Sequence, residues 1–380
     1  MTSAPAQPDA LEHAPRRGAS LVPALIRLAR PKQWTKSAFV AIGPVYGGLG
    51  LEAAPVVALG MLAFALVSSG CYVINDLRDA EADRLHPRKR RRPIASGRVG
   101  PRTAMAYAAA LWLAAAACLG ALPPLGVGLD RLGILASCLL LYAANVTAYS
   151  LGLKRVVVLD VLSLAMGFVL RVLGGCVIAG ITPSTWLLNC TLFLAMFLAF
   201  GKRLGERRTL GVDASGARAV QSVYTDDLLR MAVVVTAVAT LLTYAGYVQD
   251  QETRFIWHLG DLDGAAGAGI NVLWITILPA TFAVLRCIVL LERGLFDDPT
   301  ELATKDRGFQ IAAAIFVALT GWLLAQAGPA EDPGAAVPAD AGRPATEQDG
   351  PQAARSSTDI LGCEPGKDAI GRLGRGGAST

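Results

Sequence analysis

Apolar stretches long enough to cross a bilayer recur nine times along the 380 residues, and this recurrence constrains the chain more than any other feature. A helix needs roughly 20 mostly apolar residues to span the hydrocarbon core, where only helices and closed barrels satisfy their own backbone polar groups. The stretches fall at 36–51, 55–76, 103–122, 132–150, 156–181, 184–201, 231–248, 270–291 and 308–327, each bounded by charged or Gly/Pro-containing segments. The first is short and Gly-rich. Apolar types (AVILMFWYC) make up 53% of the chain and charged ones 17%, which excludes an ordinary soluble domain. The expected fold is all-α, a polytopic membrane protein with about nine transmembrane helices.

Lys and Arg set the orientation, because short basic loops resist translocation. Segment 77–102 holds nine of them, 151–155 holds Lys154 and Arg155, and 202–230 holds six, all on the side of the basic N-terminal arm. The opposite loops are short or acidic, with Asp250, Glu252, Asp261 and Asp263 against Arg254. Nine spans then put the N-terminus in the cytoplasm and the C-terminus outside, in a bacterial inner membrane. The first thirty residues lack the order of a secretory signal, so the N-terminus is expected to be retained.

Composition divides the chain into an arm with the start of an interfacial helix (1–28), a transmembrane domain (29–327) and a tail (328–380). The tail is rich in Gly, Pro, Ala and polar residues, and is expected to be disordered. It carries five basic and eight acidic side chains, so the rest of the chain stands at +8 rather than +5. A basic face of this kind suits phosphate-bearing substrates and anionic headgroups, and no nucleic acid is expected as a partner. Six of the seven cysteines lie in apolar runs, where they act as small hydrophobes rather than a disulfide framework or thiolate metal site. A homo-oligomer is compatible with the sequence and not required by it.

At the end of the second stretch, Asn75, Asp76, Asp79 and Asp83 have the spacing NDxxDxxxD, whose steps of three and four share one helical face. Carboxylates so spaced repel one another unless a cation sits among them, and oxygen donors without His or Cys favour Mg²⁺. The competing reading is a solvated acidic turn paired with local Arg. Arg84, Lys89 and Arg92 follow in a run of basic residues. A bound diphosphate would account for acids and bases together, whereas a topological signal would account for the bases alone.

Ionisable groups also enter other spans. Asp160, Ser163, Gly167, Arg171 and Gly174 share one face of the fifth, and Arg171 is deep, where Arg faces a watery cavity or a partner. It either binds phosphate or pairs with a buried carboxylate. Tyr149, Lys154, Lys202, Arg203 and Glu206 end the fourth and sixth spans, lining the same cavity or snorkelling to the interface. Lys32 and Lys36 flank Trp34 before the first span, as anchors or as contacts to a lipid phosphate.

Taken together, RPKQWTK (30–36), NDLRDAEADRLHPRKRRRPIASG (75–97), YSLGLKRVVVLD (149–160), GFVLRVLGG (167–175), FGKRLGE (200–206) and DDPTELATKDR (297–307) resemble the UbiA-type intramembrane prenyltransferase superfamily. Their finer detail looks like its decaprenyl-phosphate phosphoribosyltransferase branch. The resemblance covers about 29–327. It implies a helical bundle around a central cavity open to the cytoplasm, and transfer of 5-phosphoribose from phosphoribosyl diphosphate (PRPP) to a polyprenyl phosphate of the decaprenyl type, releasing pyrophosphate. Asn75, Asp76, Asp79 and Asp83 match the Mg²⁺-diphosphate motif of that superfamily, with the three aspartates as catalytic residues. Lys32, Lys36, Asn75, Arg84, Lys89, Arg92, Tyr149, Lys154, Asp160, Arg171, Lys202 and Arg203 are the expected substrate-binding set.

Most prenyltransferases of the superfamily carry a second Asp-rich motif after the sixth span. Here that loop offers Lys202, Arg203 and Glu206 with scattered Asp213, Asp226 and Asp227. This departure disfavours the alternative enzyme reading, transfer of a polyprenyl group from its diphosphate to an aromatic or other small acceptor. A transporter using Asp160 and Arg171 is a third reading, but no inverted repeat supports it.

Overall fold

Proline and glycine set where several helices start and stop. Helices α3 (Ala54–Arg78) and α5 (Pro101–Gly120) carry Pro in the first turn, where its missing N–H costs nothing. Helix α7 (Leu159–Ala179) ends at Gly180, whose φ of 70° is the left-handed cap that glycine adopts freely. The computed structural model describes residues 21–86, 89–210, 224–258, 269–294 and 305–327. Most of the N-terminal arm, Arg88, Asp213, most of segment 297–307 and the 328–380 tail lie outside the described residues.

The other elements are α1 (Leu21–Ala29), a 3-10 helix (Pro31–Ala41) running into α2 (Ile42–Tyr46), α4 (Ala80–Leu85), α6 (Leu129–Leu151) and α8 (Thr185–Leu210). After them come α9 (Asp226–Asp250), α10 (Ile277–Glu292) and α11 (Arg307–Ala327). A two-stranded antiparallel ribbon, β1 (Ile256–His258) and β2 (Gly269–Asn271), pairs Ile256 with Asn271 between α9 and α10.

Among the described residues, eight helices are long and apolar enough to cross a membrane. Two are central, since the apolar windows of α3 and α7 are 67% and 61% buried while the other six are 22–39% buried. Outer faces carry exposed Leu113, Leu140, Val235, Leu242 and Val317, whereas Asp76, Asp160, Arg171 and Arg203 lie inside at 5% exposure or less. Apolar outside with charge inside is the arrangement a bilayer imposes.

The ninth expected span, 36–51, differs. Its chain forms the 3-10 helix and α2, which end at Tyr46. Within 36–46, six residues rising about 2.0 Å each and five rising about 1.5 Å reach about 20 Å, short of the roughly 30 Å of the hydrocarbon core, and the segment is not among the eight. The segment packs against α7 at Gly175, where a Cβ would overlap the Val40 carbonyl. Its start is tied to α3: Trp34 Nε1 donates to Ser69 Oγ (3.0 Å), and Ser69 Oγ donates to the Ala29 carbonyl (2.7 Å).

Candidate active site

Helix α3 stops at Arg78, and the chain re-enters a helix at Ala80 through Asp79 (φ −84°, ψ 2°). The side chains of the motif face two ways. Asp76 and Asp83, both 3% exposed, turn towards the 89–97 loop, where Arg92 Nη1 donates to Asp76 Oδ1 (3.0 Å) and Asp83 Oδ2 (2.8 Å). Arg30 Nη2 adds a bond to Asp76 Oδ1 (2.5 Å), with its guanidinium 4.8 Å from the centroid of the Tyr72 ring. Arg30 reaches this position from a left-handed backbone, φ 52°.

Asn75 and Asp79 face a cavity instead. The four side chains do not converge on one point in this structure, and no three His, Cys, Asp or Glu among the described residues form a metal-sized cluster. Steps of seven and four residues put Asp76 with Asp83 and Asn75 with Asp79 on adjacent helical faces, and the guanidinium groups of Arg92 and Arg30 pair with the two buried carboxylates. Asp76 and Asp83 are thus held in ion pairs, both with nearby Arg92 and Asp76 also with distant Arg30.

Asn75 and Asp79 nonetheless suit a hard cation. They lie one helical turn apart and offer oxygen donors, and Asn75 Oδ1 is buried without a hydrogen-bond partner. An orphaned acceptor of this sort signals an unfilled contact. Mg²⁺ commonly takes one or two protein oxygens and completes its shell with water and substrate phosphate.

The cavity is about 450 Å³ and is framed by α3, α6, α7, the 3-10 helix and the 89–97 loop. Seven basic side chains line it, Arg30, Lys36, Lys89, Arg92, Lys154, Arg155 and Arg171, against the single carboxylate of Asp79. Lys154 Nζ lies 3.9 Å from Asp79 Oδ2. Deeper, Arg171 Nη1 donates to the Gly167 carbonyl (2.8 Å) and Nη2 to the Tyr142 hydroxyl (2.7 Å), while Nε is buried and unpartnered. Asn145 and Ser163 continue this wall, with Ser163 Oγ donating to Asn145 Oδ1 (2.9 Å). The site thus concentrates positive charge in a largely walled space and is built to take a ligand with several anionic oxygens.

A sequence profile of the UbiA prenyltransferase family matches residues 37–260. The decaprenyl-phosphate phosphoribosyltransferase of Mycolicibacterium smegmatis is 34% identical over 80% of this chain and 92% of its own length. This chain belongs to the UbiA prenyltransferase family. The Corynebacterium glutamicum protein with the same name as the mycobacterial one is 33% identical, over 78% of this chain and 86% of its own. A solved UbiA homolog from Archaeoglobus fulgidus, bound to GPP and Mg²⁺, superposes with a TM-score of 0.56 at 18% identity, covering 80% of this chain and 99% of its own. That likeness establishes the shared all-α membrane fold.

In this UbiA family member, Lys36, Asn75, Asp79, Lys89, Arg92, Tyr149, Lys154 and Arg171 of the expected set line the cavity. Asp160 and Arg203 do not. They form a buried ion pair (Arg203 Nε to Asp160 Oδ2, 3.3 Å) beneath it, with Arg203 also meeting Tyr149 and Glu206. Lys32, Arg84 and Lys202 are exposed away from the lining, and Arg84 Nε donates to the Ala95 carbonyl (3.4 Å). Arg30, Tyr72, Tyr142, Asn145 and Arg155 line the cavity without having been expected there. Three of these carried a signal. Tyr142 and Asn145 precede Tyr149 by seven and four residues, on the same face of α6, and Arg155 adjoins Lys154.

Proposed function

We propose that this UbiA family member transfers 5-phosphoribose from PRPP to a polyprenyl phosphate, giving polyprenylphosphoryl-5-phosphoribose and pyrophosphate. The observation that carries this reading is the charge of the cavity: seven cations line it, against Asp79 in the lining and Asp76 and Asp83 paired with Arg30 and Arg92. Each phosphate monoester brings about −1.5 to −2, so PRPP together with a lipid phosphate suits that excess. A prenyl diphosphate with a neutral acceptor would leave part of that excess unmatched. The names of the mycobacterial and corynebacterial relatives support the same reaction.

In this reading the C1–O bond to the diphosphate breaks, a lipid phosphate oxygen forms the new bond to C1, and pyrophosphate leaves. Lys89, Arg92 and Lys154 lie beside Asn75 and Asp79, where they neutralise the charge growing on the leaving group. Asp76 and Asp83 act through Arg92, holding its guanidinium at the rim of the site. Arg171 and Tyr142, on the deeper wall, hold a second phosphate and fix its direction of approach. The attacking oxygen is already anionic and needs little base catalysis. Asn75 and Asp79 would hold Mg²⁺, which when bound withdraws charge from the diphosphate.

The basic segments 77–102 and 151–155 meet at the end of the bundle that bears the site. With the positive-inside rule, this supports a bacterial inner-membrane protein whose site faces the cytoplasm. Residues 29–327 then constitute the catalytic domain.

The test is incubation of detergent-purified protein with Mg²⁺, a polyprenyl monophosphate and radiolabelled PRPP. Label is expected in the organic phase and is expected to disappear with EDTA. Turnover of a polyprenyl diphosphate with an aromatic acceptor, without label transfer from PRPP, would replace this reading by prenyl transfer.

A further inference from the structure

The segment from Gly152 to Val158 joins α6 to α7 and presents Lys154 and Arg155 to the cavity. It ends in an unusual conformation. Val158 has φ 69° and ψ −44°, near the strained γ-turn geometry that a β-branched residue adopts only when its neighbours enforce it. The enforcing contact comes from far along the chain: the Val158 N–H donates to the hydroxyl of Tyr224 (2.8 Å), just before α9.

That hydroxyl is engaged twice. It donates in turn to Asp160 Oδ1 (2.6 Å), whose other oxygen accepts from Arg203 Nε (3.3 Å). Tyr224, Asp160 and Arg203 are all at least nine-tenths buried. The Tyr224 ring packs edge-on against Phe200, centroids 6.2 Å apart, so packing accounts for the ring but not for the hydroxyl. A buried Asp–Arg pair needs no tyrosine to neutralise it. The hydroxyl is placed where it satisfies an amide that the strained turn would otherwise leave unpaired.

We infer that Tyr224 is a positioning residue: its hydroxyl, anchored on Asp160 and Arg203, holds the Val158 turn in the conformation that points Lys154 and Arg155 at the phosphates of the donor. The inference rests on reading the cavity as a polyphosphate site. Without the hydroxyl, Val158 relaxes towards ordinary negative φ, and the loop before it rotates away from Asp79.

The experiment compares full-length, detergent-solubilised wild type, Tyr224→Phe, and Tyr224→Phe combined with Val158→Gly. Binding of inorganic pyrophosphate in the presence of Mg²⁺ is measured by calorimetry, and amide exchange is followed over residues 152–159. Tyr224→Phe keeps the ring. It is expected to weaken pyrophosphate binding roughly tenfold, the scale of one misplaced hydrogen bond to a charged group, to speed exchange over 152–159, and to lower kcat as well as raise KM for PRPP, because Lys154 meets charge that grows on the leaving group. Glycine adopts positive φ without strain, so Val158→Gly in the Tyr224→Phe background is expected to restore binding to within about twofold. Exchange of the residue 158 amide stays fast in that double variant, because its acceptor is still absent.

Wild-type-like pyrophosphate affinity in Tyr224→Phe would overturn the inference, as would a double variant that binds no better than Tyr224→Phe. A wild-type protein that binds neither pyrophosphate nor PRPP would instead overturn the polyphosphate reading of the cavity, and the inference with it.

Discussion

The guanidinium of Arg171 rests on Tyr142, donating to its hydroxyl at 2.7 Å, with no carboxylate in ion-pair contact among the described residues. A cation so deep in a helical bundle is costly unless something anionic meets it. In the proposed reaction its charge would meet a ligand phosphate. Arg171→Lys keeps the charge but loses the planar fork. A hydrogen bond to a charged group contributes about 1.5–3 kcal/mol, so kcat/KM for phosphoribosyl transfer is expected to fall roughly 10- to 150-fold. Steady-state kinetics with lipid phosphate varied at saturating PRPP checks this, and unchanged kinetics would remove Arg171 from the site.

The split of the acidic motif makes its members separable. Asp79 is partly exposed in the cavity, so Asp79→Asn is expected to cut turnover by about 100-fold or more while leaving the thermal unfolding midpoint unchanged.

Asp76→Asn is expected to lose both activity and stability, because that carboxylate holds Arg30 and shares Arg92 with Asp83. Breaking a fully buried pair costs about 3–5 kcal/mol. Both partners are about a third exposed, so solvent screening reduces the expected loss to about 1–2 kcal/mol. Parallel melting curves and transfer assays of the two variants settle the contrast, and identical behaviour would refute it.

Gly175→Ala tests the seat of the 3-10 helix. The added methyl would overlap the Val40 carbonyl, which is backbone and cannot rotate aside. Overpacking of this kind costs about 1–3 kcal/mol. A lower unfolding midpoint is expected, with loss of transfer as Lys36 on the same segment shifts.

At the other end of α11, the Arg286 guanidinium hydrogen-bonded to Asp306 holds that carboxyl below its ordinary value of 3.8, helped by the Phe309 amide. A carboxyl lowered on folding adds stability above its unfolded pKa, and loses it as pH falls towards the folded one. Wild type is therefore expected to melt above Asp306→Asn at neutral pH, with the gap closing below about pH 4. A gap that widens in acid would contradict the assignment.

The spans were legible from residues 51 to 327 because hydropathy is a local property, read off one run of sequence at a time. The long helices α3 and α5 to α11 account for eight of the nine expected spans. The expected span at 36–51 is not among those eight: the chain there is a 3-10 helix and α2, packed on α7 where Gly175 admits the Val40 carbonyl, a contact across 135 residues. The basic and acidic motifs were legible as a site for the same local reason, since spacing along a helix places Asn75 with Asp79.

Partner choice was not legible. The NDxxDxxxD spacing puts Asp76 and Asp83 on one helical face, but nothing in it indicates that their partner is Arg92, which arrives from the 89–97 loop. Arg30 reaches Asp76 across 46 residues and Tyr224 reaches Asp160 across 64. The sequence alone determined a many-spanned helical membrane protein with a cationic, oxygen-rich site at one end, because the bilayer and the helical repeat both act over short stretches of chain. Only the tertiary structure decided which cations face the cavity and which are consumed in ion pairs, because that depends on how separate helices dock, and docking is set by shape at distances along the chain that no local pattern records.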